Sequence, residues 1–287
     1  MELIVRVPGS CGELIQGYWH HEPFLVTCPI GLYTTVTVSA GETVWADLGP
    51  KACQAVRHTL TYIGETEFPF RLSVSSQLPP GKGMASSSAD IGAVMIAVAA
   101  VFGKRLEEEE VAMLAAAIEP TDGVFCRGVV AIQYETGRIL RRYGLLPPMP
   151  IAIFDTGGTI DTIAFHAAQH DTGIRNRNLW ENPALHLLNG RLTPETIGAA
   201  ATGSARANQH MICKKELESL ISLSTAAGAA GVCVAHSGTV LGVLFFPDTD
   251  ATAIHTVVRS IQRQLPALTY LTTTALQSGG CMIEYHE

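Results

Sequence analysis

Residues 78–103 read LPPGKGMASSSADIGAVMIAVAAVFG. Two prolines, Pro79 and Pro80, stiffen the entry, and Gly81 and Gly83 loosen the backbone beyond them. Ser86, Ser87 and Ser88 then stand ahead of a long run of small apolar residues. That run predicts a helix over 87–102, with Gly103 in the position of a terminating glycine. A helix N-terminus offers unpaired backbone N–H groups and a partial positive charge. Glycines before it let the main chain curl around an anion. Serines on its first turn add hydroxyls for phosphate oxygens or a magnesium ion. The stretch Pro79, Pro80, Gly81, Lys82, Gly83, Met84, Ala85, Ser86, Ser87, Ser88 is therefore built to hold a polyphosphate. It is neither common glycine-rich loop. Gly81-Lys82 is followed by Gly83 rather than by Ser or Thr, and Ser86 stands where G-x-G-x-x-G needs its third glycine.

The chain around this stretch has 287 residues, 47% of them hydrophobic and 16% charged, with a formal net charge of −7. That length suits two domains sharing an interface. The negative charge and the lack of a Lys/Arg-rich run argue against nucleic-acid binding. No apolar run reaches the roughly 20 residues of a membrane span, and the N-terminal MELIVRVPGS does not read as a signal peptide. Seven scattered cysteines without a C-x-x-C pair predict reduced thiols in a cytoplasmic protein and no structural zinc site. Strands are predicted at 3–7, 32–40, 70–76 and 129–135, and a second helix at 106–118 with four glutamates in its first turn. LLPPMP (145–150) reads as a hinge. Beyond it come a strand at 151–158, a polar stretch at 166–182, helices near 194–212, 215–228 and 250–264, and strands at 231–236, 239–246 and 281–286. The mixture without a strict βαβ rhythm predicts an α+β protein of two domains, 1–147 and 148–287.

PPGKGMASSSAD resembles the phosphate-binding motif of the GHMP kinases, the family of galactokinase, homoserine kinase, mevalonate kinase and phosphomevalonate kinase, whose pattern is roughly P-x-G-x-G-L-G-S-S-A-[AS]. Pro79, Gly81, Gly83, Ser86 and Ser87 fall on its fixed positions, while Met84 replaces the usual Leu and Ala85 the usual Gly. Downstream, AAAIEPTDGVFCRG stands where the family carries an acidic pair. The resemblance implies Glu119 as a magnesium ligand beside Ser87, and Asp122 as the catalytic carboxylate facing the substrate hydroxyl, at the Asp that ends P-S-G-x-D. A helix-ending Glu-Pro followed by a turn Asp is the plainer reading of the same residues. VPGSCGELIQGY (7–18) matches the family's first motif at Pro8-Gly9, and that motif lies near the acceptor. FDTGGTIDT (154–162) presents Asp155, Thr156, Gly157 and Gly158, with Asp161 beyond, as either a ligand-facing loop or a simple turn. His236-Ser237-Gly238-Thr239 occupies the turn of the family's third glycine-rich motif, with His236 read as a satisfied turn histidine outside the chemistry.

GSCGELIQG, EPTDGV, DTGGTIDT and AHSGT together are most similar to one subgroup, the L-threonine kinases of cobalamin synthesis and propanediol utilisation. The resemblance implies a ribosomal S5 domain 2-like N-terminal domain and a ferredoxin-like C-terminal domain, with the site in the cleft between them. It implies ATP and Mg²⁺ as cofactors, transfer of the γ-phosphoryl group to L-threonine, and a monomer or homodimer with no nucleic-acid or membrane partner. Acceptor contacts would come from Ser10, Cys11, Gly12, Glu13, Asp155, Thr156, Gly157, Gly158, Ser237 and Gly238. The ammonium falls to Glu13 or Asp155, and the carboxylate to the backbone near Gly9–Gly12 or Ser237–Gly238. Homoserine, a sugar or an isoprenoid alcohol as acceptor, and a non-kinase nucleotide-binding member of the family, are the alternatives.

Overall fold

A computed structural model describes residues 2–20, 22–41, 48–159, 183–210 and 212–286. Asp161 and the polar stretch at 166–182 lie outside the described residues. Two long strands, β1 (Glu2–Trp19) and β2 (Glu22–Ala40), pair antiparallel as a hairpin with register shifts between Pro8 and Ile15. β3 (Phe70–Ser76) pairs with β2, and β4 (Val129–Gln133) joins β2 to β5 (Arg138–Gly144). Three helices among the described residues belong to this half: α1 (Pro50–Ile63), α2 (Ser86–Val101) and α3 (Glu108–Ala116). α2 packs on β1, β2 and α1. Its residues are small and apolar on nearly every side, as a fully enclosed helix requires.

The second half is built on β6 (Met149–Asp155), β7 (Gly231–Val234), β8 (Val240–Leu244) and β9 (Thr269–Leu276), in the antiparallel order β7-β8-β6-β9. A 3₁₀ turn (Pro183–Asn189) and the helices α4 (Pro194–Ala207), α5 (Leu217–Ala226) and α6 (Ala251–Gln264) accompany it. The final strand, β10 (Met282–His286), returns to pair with β1. β6 starts directly after Pro147-Pro148, so the expected hinge leads into a strand.

Alternation along the second-half strands divides two cores. On β6, Ile151 and Ile153 join the larger core shared with the first half, while Ala152 and Phe154 join a smaller one with residues of α5 and α6. The period of two is that of a strand covered on both faces. Among the described residues the halves pair edgewise through the β10–β1 ladder, through Glu13 with Val234 and Ile30 with Leu276, and through a bridge between Gly128 and Gly279. The architecture is mixed helix and sheet, α+β. No helix among the described residues is long and apolar enough to cross a membrane.

Candidate active site

The residues expected to form a phosphate loop are pinned from both sides. Gly12 N–H donates to Gly83 O and Ser10 N–H to Met84 O, each at 3.0 Å, which ties the loop to the irregular part of β1. From the other side, Thr239 N–H donates to Lys82 O at 2.9 Å. Gly83 (φ 80°) and Gly238 touch so closely that a Cβ on Gly83 would collide with Ala235 Cβ, and one on Gly238 would collide with Gly83 Cα. Both must be glycine for the loop and the β7–β8 turn to meet.

The loop ends in Ala85, at φ 54° and ψ 27°, as the residue preceding α2. An alanine in left-handed backbone carries strain that glycine would not. No side chain caps the helix. Ser86, Ser87 and Ser88 thus form its first turn, where backbone N–H groups have no intrahelical acceptor. All three line a cavity of about 820 Å³, within the roughly 300–1,000 Å³ of small-molecule sites. Pro80, Gly81, Gly83, Met84 and Ala85 line it too. Lys82 does not: its Nζ is 2.6 Å from Asp155 Oδ2 and donates to Gly158 O at 2.6 Å.

Opposite the serines, the turn after α3 presents Glu119, Pro120, Thr121 and Asp122 to the same cavity. Thr121 N–H donates to Tyr134 O at 2.9 Å, anchoring the turn to the end of β4. Asp122 N–H donates to Ser88 Oγ at 3.1 Å, and the Ser88 hydroxyl donates to Asp122 Oδ2 at 3.3 Å. Burial, with the negative charges of Glu13 and Glu119 nearby, pushes the Asp122 carboxyl up to about 8. Glu119 pairs through Oε2 with Lys51, on the first turn of α1. Its other oxygen, Oε1, is buried with no hydrogen-bond partner among the described residues. Asp90, one helical turn beyond the serines, accepts from Thr34 Oγ1 at 2.7 Å, and burial raises its carboxyl.

Of the residues expected around the acceptor, Ser10, Glu13 and Ser237 line the cavity. Cys11 is fully buried in the core. Gly12 and Gly238 serve the loop contacts above. Asp155 is buried beside Lys82; burial raises its carboxyl, but the hydrogen bonds from Lys82 and from Gly157 N–H (3.1 Å) outweigh it and hold the group low. Thr156 donates to Thr239 O through both N–H (3.0 Å) and hydroxyl (3.1 Å). Asp155 to Gly158 thus knit the β6 end to the phosphate loop, outside the cavity lining. Lys51, Arg71, Ser73 and Asp90 line the cavity as well. Sequence reasoning passed over these, although Pro50 at the start of α1 and Gly64 in left-handed conformation just past it mark the helix that carries Lys51.

Two family models match the chain: the GHMP kinases N terminal domain over residues 50–129 and the GHMP kinases C terminal over 186–264. The L-threonine kinase of Citrobacter freundii is 32% identical over 249 residues, covering 84% of this chain and 85% of that one. The L-threonine kinase of Salmonella typhimurium LT2 is 30% identical over 246 residues, covering 84% and 82%. Among solved structures, mevalonate kinase of Methanococcus jannaschii superposes with a TM-score of 0.68 at 13% identity, covering 94% of this chain and 97% of that one. Homoserine kinase of Cytophaga hutchinsonii gives 0.68 at 14% identity, covering 99% and 97%. These neighbours share the two-domain fold. With the sequence relatives and both domain models, they make the chain a member of the GHMP kinase family.

Proposed function

We propose that the chain transfers the γ-phosphoryl group of ATP to the hydroxyl of L-threonine, giving O-phospho-L-threonine and ADP. The observation that carries the reading is the convergence of an uncapped, serine-bearing helix N-terminus, a half-buried carboxyl raised to about 8 and a separate carboxylate, Glu13, in one cavity. The activity of the Citrobacter and Salmonella relatives supports the choice of acceptor. Residues 1–147 and 148–287 are taken as the two domains of this enzyme, and the product as a precursor for adenosylcobalamin synthesis in the cytoplasm.

The N–H groups of the first turn of α2 and the glycine loop, residues 79–88, would bind the triphosphate. Ser87 and Glu119 would hold Mg²⁺, and the orphaned Glu119 Oε1 suits that role because a buried carboxylate oxygen needs a partner. When bound, the ion neutralises charge on the β and γ oxygens. Asp122 would accept the proton of the threonine hydroxyl as its oxygen forms the new bond to phosphorus and the bond to the ADP oxygen breaks. Glu13 is the better group for the ammonium, because it lines the cavity while Asp155 is engaged by Lys82. For the carboxylate, Ser10 and Gly12 N–H are already committed to the loop, which leaves Ser237 at the cavity wall.

The test is ADP production from Mg-ATP by the purified protein with L-threonine, L-serine, L-homoserine, mevalonate, galactose or no acceptor. A selective signal with L-threonine is expected. L-Serine, lacking one methyl, should be poorer by about 10–200-fold in kcat/KM. A dominant signal with homoserine, mevalonate or galactose would replace the acceptor and leave the phosphate loop and Asp122 in their roles. Silence with all, despite ATP binding, would remove the kinase reading.

A further inference from the structure

Glu13 does not stand by itself. It is buried at 5% exposure, and so is His236, just beyond β7. Glu13 Oε2 accepts from His236 N–H at 3.0 Å and lies 2.6 Å from His236 Nδ1. At the other side of the ring, His236 Nε2 is 3.5 Å from Ser204 Oγ on α4. Ser204 Oγ is itself held in place, accepting from Gln16 N–H at 3.1 Å and from Asn208 Nδ2 at 3.5 Å. An ionised carboxylate only accepts, so the contact with Glu13 places a proton on Nδ1. In the neutral ring Nε2 is then the acceptor, and it faces the Ser204 hydroxyl. Two donors on one carboxylate oxygen lock the Glu13 rotamer. They leave Oε1 as the oxygen to meet a ligand in the cavity.

The fold brings these groups together from distant parts of the chain. Glu13 is the residue through which β1 pairs with β7, opposite Val234, and His236 lies two residues further on. Lys214 supports the same turn from behind, donating to Ala235 O at 2.6 Å; burial pulls its ammonium down to about 8. A buried carboxylate is costly unless its charge is met by hydrogen bonds. His236 meets it through Oε2 alone.

We propose that His236, oriented by Ser204, is a positioning residue for acceptor recognition: it aims Glu13 at the substrate ammonium and thereby sets the preference for an α-amino acceptor. This rests on the reading of Glu13 as the ammonium site and of L-threonine as acceptor. Such a device disfavours any acceptor lacking the amine, because Glu13 would then be buried facing nothing.

The experiment compares L-threonine with 3-hydroxybutanoate, its des-amino counterpart, in steady-state kinetics of wild type, Glu13→Gln, His236→Ala, His236→Asn and Ser204→Ala. The expected result for His236→Ala is a KM for L-threonine raised about tenfold or more, with KM for Mg-ATP within twofold. Its preference for L-threonine over 3-hydroxybutanoate should fall by the same factor. His236→Asn, whose side-chain N–H stands near the position of Nδ1, should recover most of that preference, and Ser204→Ala should lose part of it. An equal loss for both acceptors in His236→Ala would make the histidine a purely structural residue and overturn the inference. So would an unchanged KM for L-threonine in a variant that melts like wild type. If His236→Ala does not fold, Ser204→Ala with unaltered preference overturns the proposal. Failure of the underlying reading looks different: wild type inactive on L-threonine removes the acceptor, and an active Glu13→Gln with unaltered preference removes the ammonium site.

Discussion

Asp122, the proposed base, is held in a state that the proposed reaction must undo. Its carboxyl is raised to about 8, first by burial and then by Glu13 and Glu119, so near neutrality it is mostly protonated in the ligand-free protein. A base must be ionised, so kcat/KM should climb with pH along a limb centred near 8. Asp122→Asn should lower turnover by about 10²–10⁴ and abolish that limb, with Mg-ATP affinity nearly unchanged. A pH–rate profile of both proteins checks it; a variant within tenfold of wild type would exclude the base role. Ala85 offers the opposite kind of change. Its left-handed backbone (φ 54°) should make Ala85→Gly more stable by about 0.5–1 kcal/mol in urea denaturation, less than the full strain because glycine also loosens the unfolded chain. The sequence made Asp122 and the serines legible because their residue types are unusual in that order. Lys51 and His236 were not legible: each acquires its meaning from a carboxylate far away in the chain, Glu119 and Glu13 respectively.

At the level of elements, strong local signals were the readable ones. Glycine, serine and small apolar residues gave α2 to within a residue at each end, and β3 matches its predicted span. The misses have physical reasons. β1 and β2 run on through Pro8, Gly9, Gly12 and Pro29, residues that ordinarily interrupt strands, because irregular pairing absorbs them. β5 (RILRRYG) and β9 (TYLTTTAL) are charged or threonine-rich and half-exposed, so hydrophobic runs do not announce them. α1 lacks acids in its first turn and basic residues in its last, leaving only Pro50 and Gly64 as punctuation. Where the phosphate loop meets the β7–β8 turn, Gly238→Ala pushes a methyl into Gly83 and Lys82 O, and should cost about 1–3 kcal/mol. It should also weaken ATP binding, seen as a smaller rise in melting temperature on adding nucleotide. An alanine variant with wild-type stability and the full nucleotide shift would show that the two segments separate freely.

For the molecule as a whole, the α+β class and the family architecture were legible, whereas the edgewise joining of the halves was not, since it links positions far apart in the chain, β10 to β1, Glu13 to Val234 and Ile30 to Leu276. The site also shapes global stability. Asp122 binds its proton more tightly folded (about 8) than unfolded (about 4), so the folded chain holds the extra proton between those values. The stability this group contributes is complete below about pH 4 and is lost as pH rises to about 8. The melting temperature of the ligand-free wild type should therefore fall more steeply than that of Asp122→Asn across this window; parallel curves would mean that the carboxyl is not perturbed. The touching glycines have a consequence for how such a protein can vary. When a large and a small residue abut, drift can trade volume from one side to the other. Gly83 and Gly238 have already surrendered both side chains, so neither has anything left to concede. A change at one position has no compensating change at the other, and any escape must move the main chain of both halves together.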